Sequence, residues 1–233
     1  MILRIVVACA LVDGCAKQPQ AGPVDETQPH AFKRDFGKAG SWRFDYKQRM
    51  TMNKDVVEAS GELRIDSSRD HTAAAKLDAS MVVGGRTEKV PPTEFQLVED
   101  ASAPKTADGD ENRALTDLLM PFPHKPLGVG DSDTMTYTMP ANLGGRATSI
   151  SGPLTLKLTG YDTVAGRRCA KLTTTLRVDD TSAAASLKID GTSCLDVSDG
   201  LVVKSKLDID MEVSGSNSTP AMKFAGVLEL ARK

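Results

Sequence analysis

Cysteine, histidine and clustered carboxylates are the side chains that most often carry catalysis, metal binding or covalent modification, and in these 233 residues they are few. The three histidines, His30, His71 and His124, are scattered, with no cysteine or glutamate at metal-ligand spacing, and each reads as a surface residue. Asp108-Gly109-Asp110-Glu111-Asn112 opens like a calcium loop. Arg113 replaces its turn glycine, however, and Leu119 occupies the position that needs a bidentate glutamate, so the segment reads as a solvated loop. A Gly-x-Ser-x-Gly elbow, a Gly-x-x-x-x-Gly-Lys phosphate loop and a His-Glu-x-x-His pair are all missing from the sequence. The expectation is a protein that is not an enzyme and uses no cofactor. Asn217-Ser218-Thr219 is a glycosylation sequon and marks an exposed loop. The 29 basic and 31 acidic residues leave a formal charge of -2. That balance builds no electrostatic footprint for phosphate backbones, which argues against nucleic acid as a partner.

The four cysteines divide into two pairs. Cys9 and Cys15 lie near the N-terminus, where Arg4 precedes an apolar run from Ile5 to Val12 and Asp13-Gly14 leads to Cys15. One positive charge, a short apolar stretch and a small residue before the break form the three parts of a secretory signal. The run is too short for a membrane-spanning helix, which needs about 20 apolar residues. Leu11-Val12-Asp13-Gly14-Cys15 resembles the lipobox of bacterial lipoproteins, with Asp13 where that family prefers a small uncharged residue. The resemblance implies a signal peptide over 1–14, cleavage before Cys15, a diacylglyceryl group on its thiol and an acylated amine. Ala16 and Lys17 follow the cysteine, which in the Gram-negative family implies anchoring in the outer membrane, facing the periplasm. Residues 16–31 are rich in Pro and Gln and have no hydrophobic period, so 15–40 is expected to be a lipidated cysteine and a flexible tether. The membrane is then one partner, held through the lipid.

From residue 41 to 233 a single β-rich domain is expected, because period two dominates. In 41–52 the even positions are Trp42, Phe44, Tyr46, Gln48, Met50 and Met52, against polar odd positions. Similar alternation covers 56–66, 71–83, 134–139 and 154–160, with wet faces rich in Thr, Lys and Asp, as in antiparallel strands packed on one side. A hairpin of 168–178 with 185–197, in a register where paired numbers sum to 363, places Leu176 opposite Leu187 and Thr174 opposite Ile189. It also sets Cys169 directly opposite Cys194 on the other face, within reach of a disulfide. That bridge presupposes an oxidising compartment. Ser198-Asp199-Gly200 suits a bulged hairpin loop, with Leu195 opposite Val203, Gly191 opposite Leu207 and Leu187 opposite Met211, while Val202 faces water. Asn112–Met120 has helical spacing before Pro121 stops it. The expected fold is mainly β: a curved antiparallel sheet, a half-barrel or open barrel in meander order, with one short helix.

Met120-Pro-Phe-Pro-His-Lys-Pro-Leu-Gly-Val-Gly-Asp131 and the strand after it resemble uncharacterised bacterial lipoproteins, though Asp133 or Thr134 stands where Trp is common. Gly160-Tyr161-Asp162, Ala165–Lys171 and Asp196 to Leu201 resemble the closing hairpins of the same group. More distantly, the strand order is similar to the half-barrel of outer-membrane lipoprotein carriers and mycobacterial lipid-carrying lipoproteins, which implies a curved sheet able to hold acyl chains. Trp42, Phe44, Met50, Met52, Met81, Met135, Tyr137, Met139, Met211 and Met222 all fall on inward faces and form the candidate apolar ligand face. Thioethers adapt to varied apolar shapes. Ordinary core filling explains the same residues, so two functions stand side by side. One is an envelope binding module for lipid or another apolar ligand; the other is an interaction lipoprotein with a fully packed sheet that binds envelope protein partners.

Overall fold

The computed structural model describes residues 25–36, 40–52, 55–67, 71–99, 117–143, 146–180, 185–214 and 221–233. Eleven strands carry the fold: β1 Gly40–Met52, β2 Asp55–Ser67, β3 Thr72–Val83, β4 Arg86–Lys89, β5 Thr93–Val98 and β6 Ser132–Leu143. They continue with β7 Arg146–Val164, β8 Arg167–Asp180, β9 Ala185–Asp196, β10 Val202–Val213 and β11 Met222–Arg232. All form one antiparallel sheet in the order β4-β3-β2-β1-β11-β10-β9-β8-β7-β6, with β5 also on β3. The sheet is curved and does not close into a barrel. Paired strands are consecutive in sequence except where β5 joins β3 and at the seam, where β1 meets β11 from Phe44–Arg232 to Met52–Phe224. Of the expected helix, the described part is one turn at 117–119.

The alternation arises as the sequence indicates. Phe44 and Tyr46 of β1, Leu63 and Ile65 of β2, and Leu154, Leu156 and Leu158 of β7 are buried, while their polar neighbours face solvent. The inward face also carries a glycine on every second strand, Gly61, Gly226, Gly191 and Gly152. A Cβ on Gly191 would lie 2.4 Å from the carbonyl oxygen of Lys206, and one on Gly226 would lie 2.7 Å from that of Arg49. Neighbouring backbone therefore crowds the inner side at these points. This is how a sheet bends toward one face without steric conflict.

Two registers differ from the sequence reading. In the β8–β9 pair Cys169 lies opposite Asp196, Lys171 opposite Cys194 and Leu176 opposite Ile189, so paired numbers sum to 365 rather than 363. A slip of two leaves every side chain on its expected face, which is why alternation could not detect it. The observed register extends the ladder to Asp180–Ala185. Cys169 and Cys194 are still joined by a disulfide, across a diagonal of 5.4 Å between Cα atoms that sheet twist draws close. The second correction lies at the start of β10. From Cys194 to Ala185 the pairing is as expected, including Gly191–Leu207 and Leu187–Met211, but a bulge between Val202 and Lys204 sets Leu195 opposite Val202. Both Val202 and Val203 are buried as a result, Val202 in the main core and Val203 against the disulfide on the outer face.

Residues 30–36, expected as the end of a tether, instead run along the body. His30 exchanges backbone bonds with Leu127, and Phe36 is fully buried. Together with Leu119, Met120, Phe122 and Leu127, Phe36 joins the core beneath the inward face. This arm and the 117–127 strap plug one end of the curve.

Candidate functional site

The concave face has two ends of different character. At the plugged end Trp42 meets Phe36 edge-on, with ring centroids 6.0 Å apart, and Phe44 is fully buried beside Leu63. Arg34 locks the plug. Its guanidinium donates to the carbonyls of Met120 at 2.9 Å and Val98 at 3.5 Å, and lies 4.4 Å from the centre of the Phe122 ring. Burial pushes this guanidinium down to about 10, with Asp117 opposing. Arg232 sits at the same end, 2.8 Å from Asp199 and 3.5 Å from Asp196, and Asp196 also holds Arg167 at 2.9 Å. The β9–β10 turn touches the arm directly. Gly200 has φ of 68°, and a Cβ there would stand 2.3 Å from the carbonyl oxygen of Lys33.

At the other end the inward face is only half covered. Met50, Met81, Met135, Met139, Met211 and Met222 are all partly buried, and Met52 is 39% exposed. Register lines Met52 up with Phe224 and Met211 across β1, β11 and β10, and Met50 lies opposite Gly226 one step deeper. Met135 and Met139 stand on β6 at one sheet edge, opposite Leu154 and Ile150, while Met81 on β3 lies toward the other edge. Of the ten residues singled out from sequence, Phe44 and Tyr137 are buried, Trp42 is partly buried at the plugged end, and the seven methionines lie in the half-covered region. Ile209 and Phe224, partly buried in the same region, were missed as candidates although their parity on β10 and β11 pointed inward.

Between the two ends runs a band of polar atoms. Ser193 and Ser205 share a buried hydrogen bond of 2.8 Å. Tyr46 donates to Gln48 at 2.6 Å, and the Gln48 amide reaches the Met50 sulfur at 2.8 Å. Burial pushes the Tyr46 phenol up to about 12 and raises the Tyr137 phenol further, with Asp117 adding to the second effect. The hydroxyls of Tyr137 and Thr174 are buried without a hydrogen-bond partner among the described residues. Thr174 stands next to Gly191, which puts no side chain beside it.

Two histidines that the sequence left scattered come together in a cleft of about 680 Å³ where arm, strap and β5 meet, bordered by Phe32, Lys33, His71, Glu99, Phe122 and His124. Glu99 is its hub, accepting the Phe36 N–H at 3.0 Å and lying 2.9 Å from His71 Nδ1 and 3.7 Å from Lys33 Nζ. Burial works to raise the Glu99 carboxyl, but the Phe36 N–H, His71 and Lys33 outweigh it and hold the group below its usual range. His30 is half-buried rather than free, 4.8 Å edge-to-face from Phe32, and burial lowers its pKa. Among the described residues no group of three or more His, Cys, Asp or Glu could hold a metal. Cys15, the acidic 108–112 loop and the Asn217 sequon lie outside the described residues.

No family model matches the chain, and no curated protein matches it significantly. Among solved structures it is similar to the hypothetical lipoprotein YmcC from Escherichia coli (K12), at 12% identity and a TM-score of 0.34, over 81% of this chain and 86% of that one.

Proposed function

We propose that this chain is a lipid-anchored protein of the bacterial cell envelope, held at the outer membrane through Cys15 and facing the periplasm, that binds an apolar ligand without turning it over. The observation that carries the binding half is the uneven cover of the concave face. Arm and strap fill one end, while the methionine-rich end keeps Met50, Met135, Met211 and Phe224 partly open. An apolar surface left half-wet inside a curve is a stronger sign of a binding role than single exposed hydrophobic residues. Flexible thioethers suit chains of varied length and unsaturation. The unpartnered Tyr137 and Thr174 hydroxyls would gain hydrogen bonds from a carbonyl or hydroxyl on the ligand. The solid packing at the plugged end favours the second reading, a scaffold whose outer face meets envelope proteins.

Native mass spectrometry of the full-length protein extracted from envelopes separates the two. An apolar adduct on the wild type, lost in Met211→Asp with the melting temperature preserved, is the result expected for a binding module. Protein recovered bare, with the same protein partners cross-linked to wild type and variant alike, would leave the scaffold. The anchor has its own test: the N-terminal fragment must carry acyl mass on Cys15, and an unmodified cysteine there would remove the membrane from the account.

A further inference from the structure

β6 ends the sheet, and β7 is its one partner strand among those described. The phase of that ladder follows from one bond: the Leu158 N–H donates to the Asp131 carbonyl at 3.0 Å, with the two residues directly in line with the β6–β7 register. Odd residues of β6 therefore exchange backbone bonds with β7. Even residues, Ser132, Thr134, Thr136 and Thr138, turn their N–H and C=O groups to the open side. Pro140, which has no N–H to donate, falls in the even set, where the ladder loses nothing.

Open edges are ordinarily blunted by charge, by a bulge or by a covering loop. From Thr134 to Met139 this strand carries no charge, and its register with β7 runs unbroken. The strap meets its beginning through the His124 N–H on the Asp133 carboxylate at 2.7 Å, and Asp117 of the strap acts on the Tyr137 phenol on the inner face. The segment Thr134-Met135-Thr136-Tyr137-Thr138 also reads almost the same in both directions, with threonine on the outer face and a large apolar residue on the inner one.

We infer that this edge pairs antiparallel with the same edge of a second copy, about a two-fold axis through Thr136. Thr136 then faces Thr136 of the partner subunit, and Thr134 faces Thr138 of the partner subunit, so each open N–H and C=O in the segment gains a partner. Cross-strand threonine pairs are favourable neighbours on the outer face. On the inner face Met135 meets Tyr137 of the partner subunit. Asp133 falls opposite Met139 of the partner subunit, so no like charges meet. The self-complementary pattern selects a second copy over an unrelated strand, because an isologous contact needs each patch to fit itself.

Sedimentation of the full chain carrying Cys15→Ser, which removes any lipid attachment, tests the pairing. The expected species is a dimer, and Thr136→Pro, which removes a donor that β7 does not use, weakens it by about tenfold or more, as the loss of two net hydrogen bonds demands. Circular dichroism and melting of the Thr136→Pro monomer stay as in the parent. Thr155→Lys, one strand inward on the same face, remains dimeric. Register is read by oxidative cross-linking. Thr136→Cys links two copies, whereas Ser132→Cys does not, since the two copies of position 132 would lie about 27 Å apart along the paired strands. A chain that stays monomeric at its highest soluble concentration overturns the inference. So does a dimer unaffected by Thr136→Pro, or equal cross-linking at both positions.

Discussion

Glu99 shows how one carboxylate can tie three segments together. It directly follows β5, receives the arm through the Phe36 N–H and Lys33, and contacts His71, whose backbone sits at a φ of 62° just before β3. A non-glycine residue in that conformation costs of order 1 kcal/mol and persists only where its surroundings hold it. The Glu99 carboxyl titrates below its ordinary value of 4.5 in the folded protein. Its contribution to stability is therefore complete above that value and is lost as pH falls through the lower, folded one. Asp199 works in the opposite sense. Burial raises its carboxyl despite Arg232, so its own contribution declines as pH rises. Many carboxylates add to acid unfolding, so the informative quantity is a difference. The melting temperature of wild type minus that of Glu99→Gln should be positive at neutral pH and shrink toward zero below pH 4.5. A gap that is constant across the titration would mean that Glu99 holds the arm without its charge.

At the scale of elements, the Cys169–Cys194 bridge spans 25 residues of chain and fastens β8 to β9 on the outer face, where Val164 and Val203 cover it. A loop of that length gives about 3.5 kcal/mol of stabilisation on the chain-entropy account. The paired variant Cys169→Ala with Cys194→Ala should lose about 2–4 kcal/mol in denaturant unfolding, with the β8–β9 register intact by amide exchange. A loss below about 1 kcal/mol would place the strength of this hairpin in its ladder alone. This same hairpin marks the limit of what period two can convey. Alternation assigned Leu172, Leu176, Leu187 and Ile189 to the correct face and paired the right cysteines, because faces depend on parity. It missed the slip of two because parity is blind to it, and a twisted sheet lets a disulfide bridge a diagonal as readily as a direct pair. Val202 was missed for a related reason. One extra residue at the bulge reverses parity locally, and the sequence Leu201-Val202-Val203 offers an apolar residue to either side. The methionine face was legible as a face. Its division into a closed and a half-covered end was not, because Arg34 and Phe36, which build the plug, directly follow the Pro- and Gln-rich 16–31 segment and show no strand alternation of their own, so they read as the end of a tether.

For the whole molecule, the decisive contact is the one farthest apart in the chain. Among the described strands, β1 and β11 form the one ladder that joins the N-terminal set to the C-terminal meander, and no local signal specifies it. Each strand alternates well enough to accept several neighbours. What favours the pair is that Leu228 fits between Gln48 of β1 and Leu207 of β10 on the inner face. Closing a loop of this length costs entropy before any contact offsets it, so the seam should form late, after the local hairpins. Leu228 is 4% exposed, and Leu228→Ala should cost about 2–5 kcal/mol. If the seam is absent from the transition state, nearly all of that loss will appear as faster unfolding with refolding almost unchanged. Leu176→Ala, inside the β8–β9 hairpin, should divide its effect between both rates. Stopped-flow chevrons of the two variants decide the order. A Leu228→Ala protein that refolds slowly and unfolds at the wild-type rate would make the seam the nucleus. The two halves of the sheet would then assemble around their most distant contact, with the hairpins following.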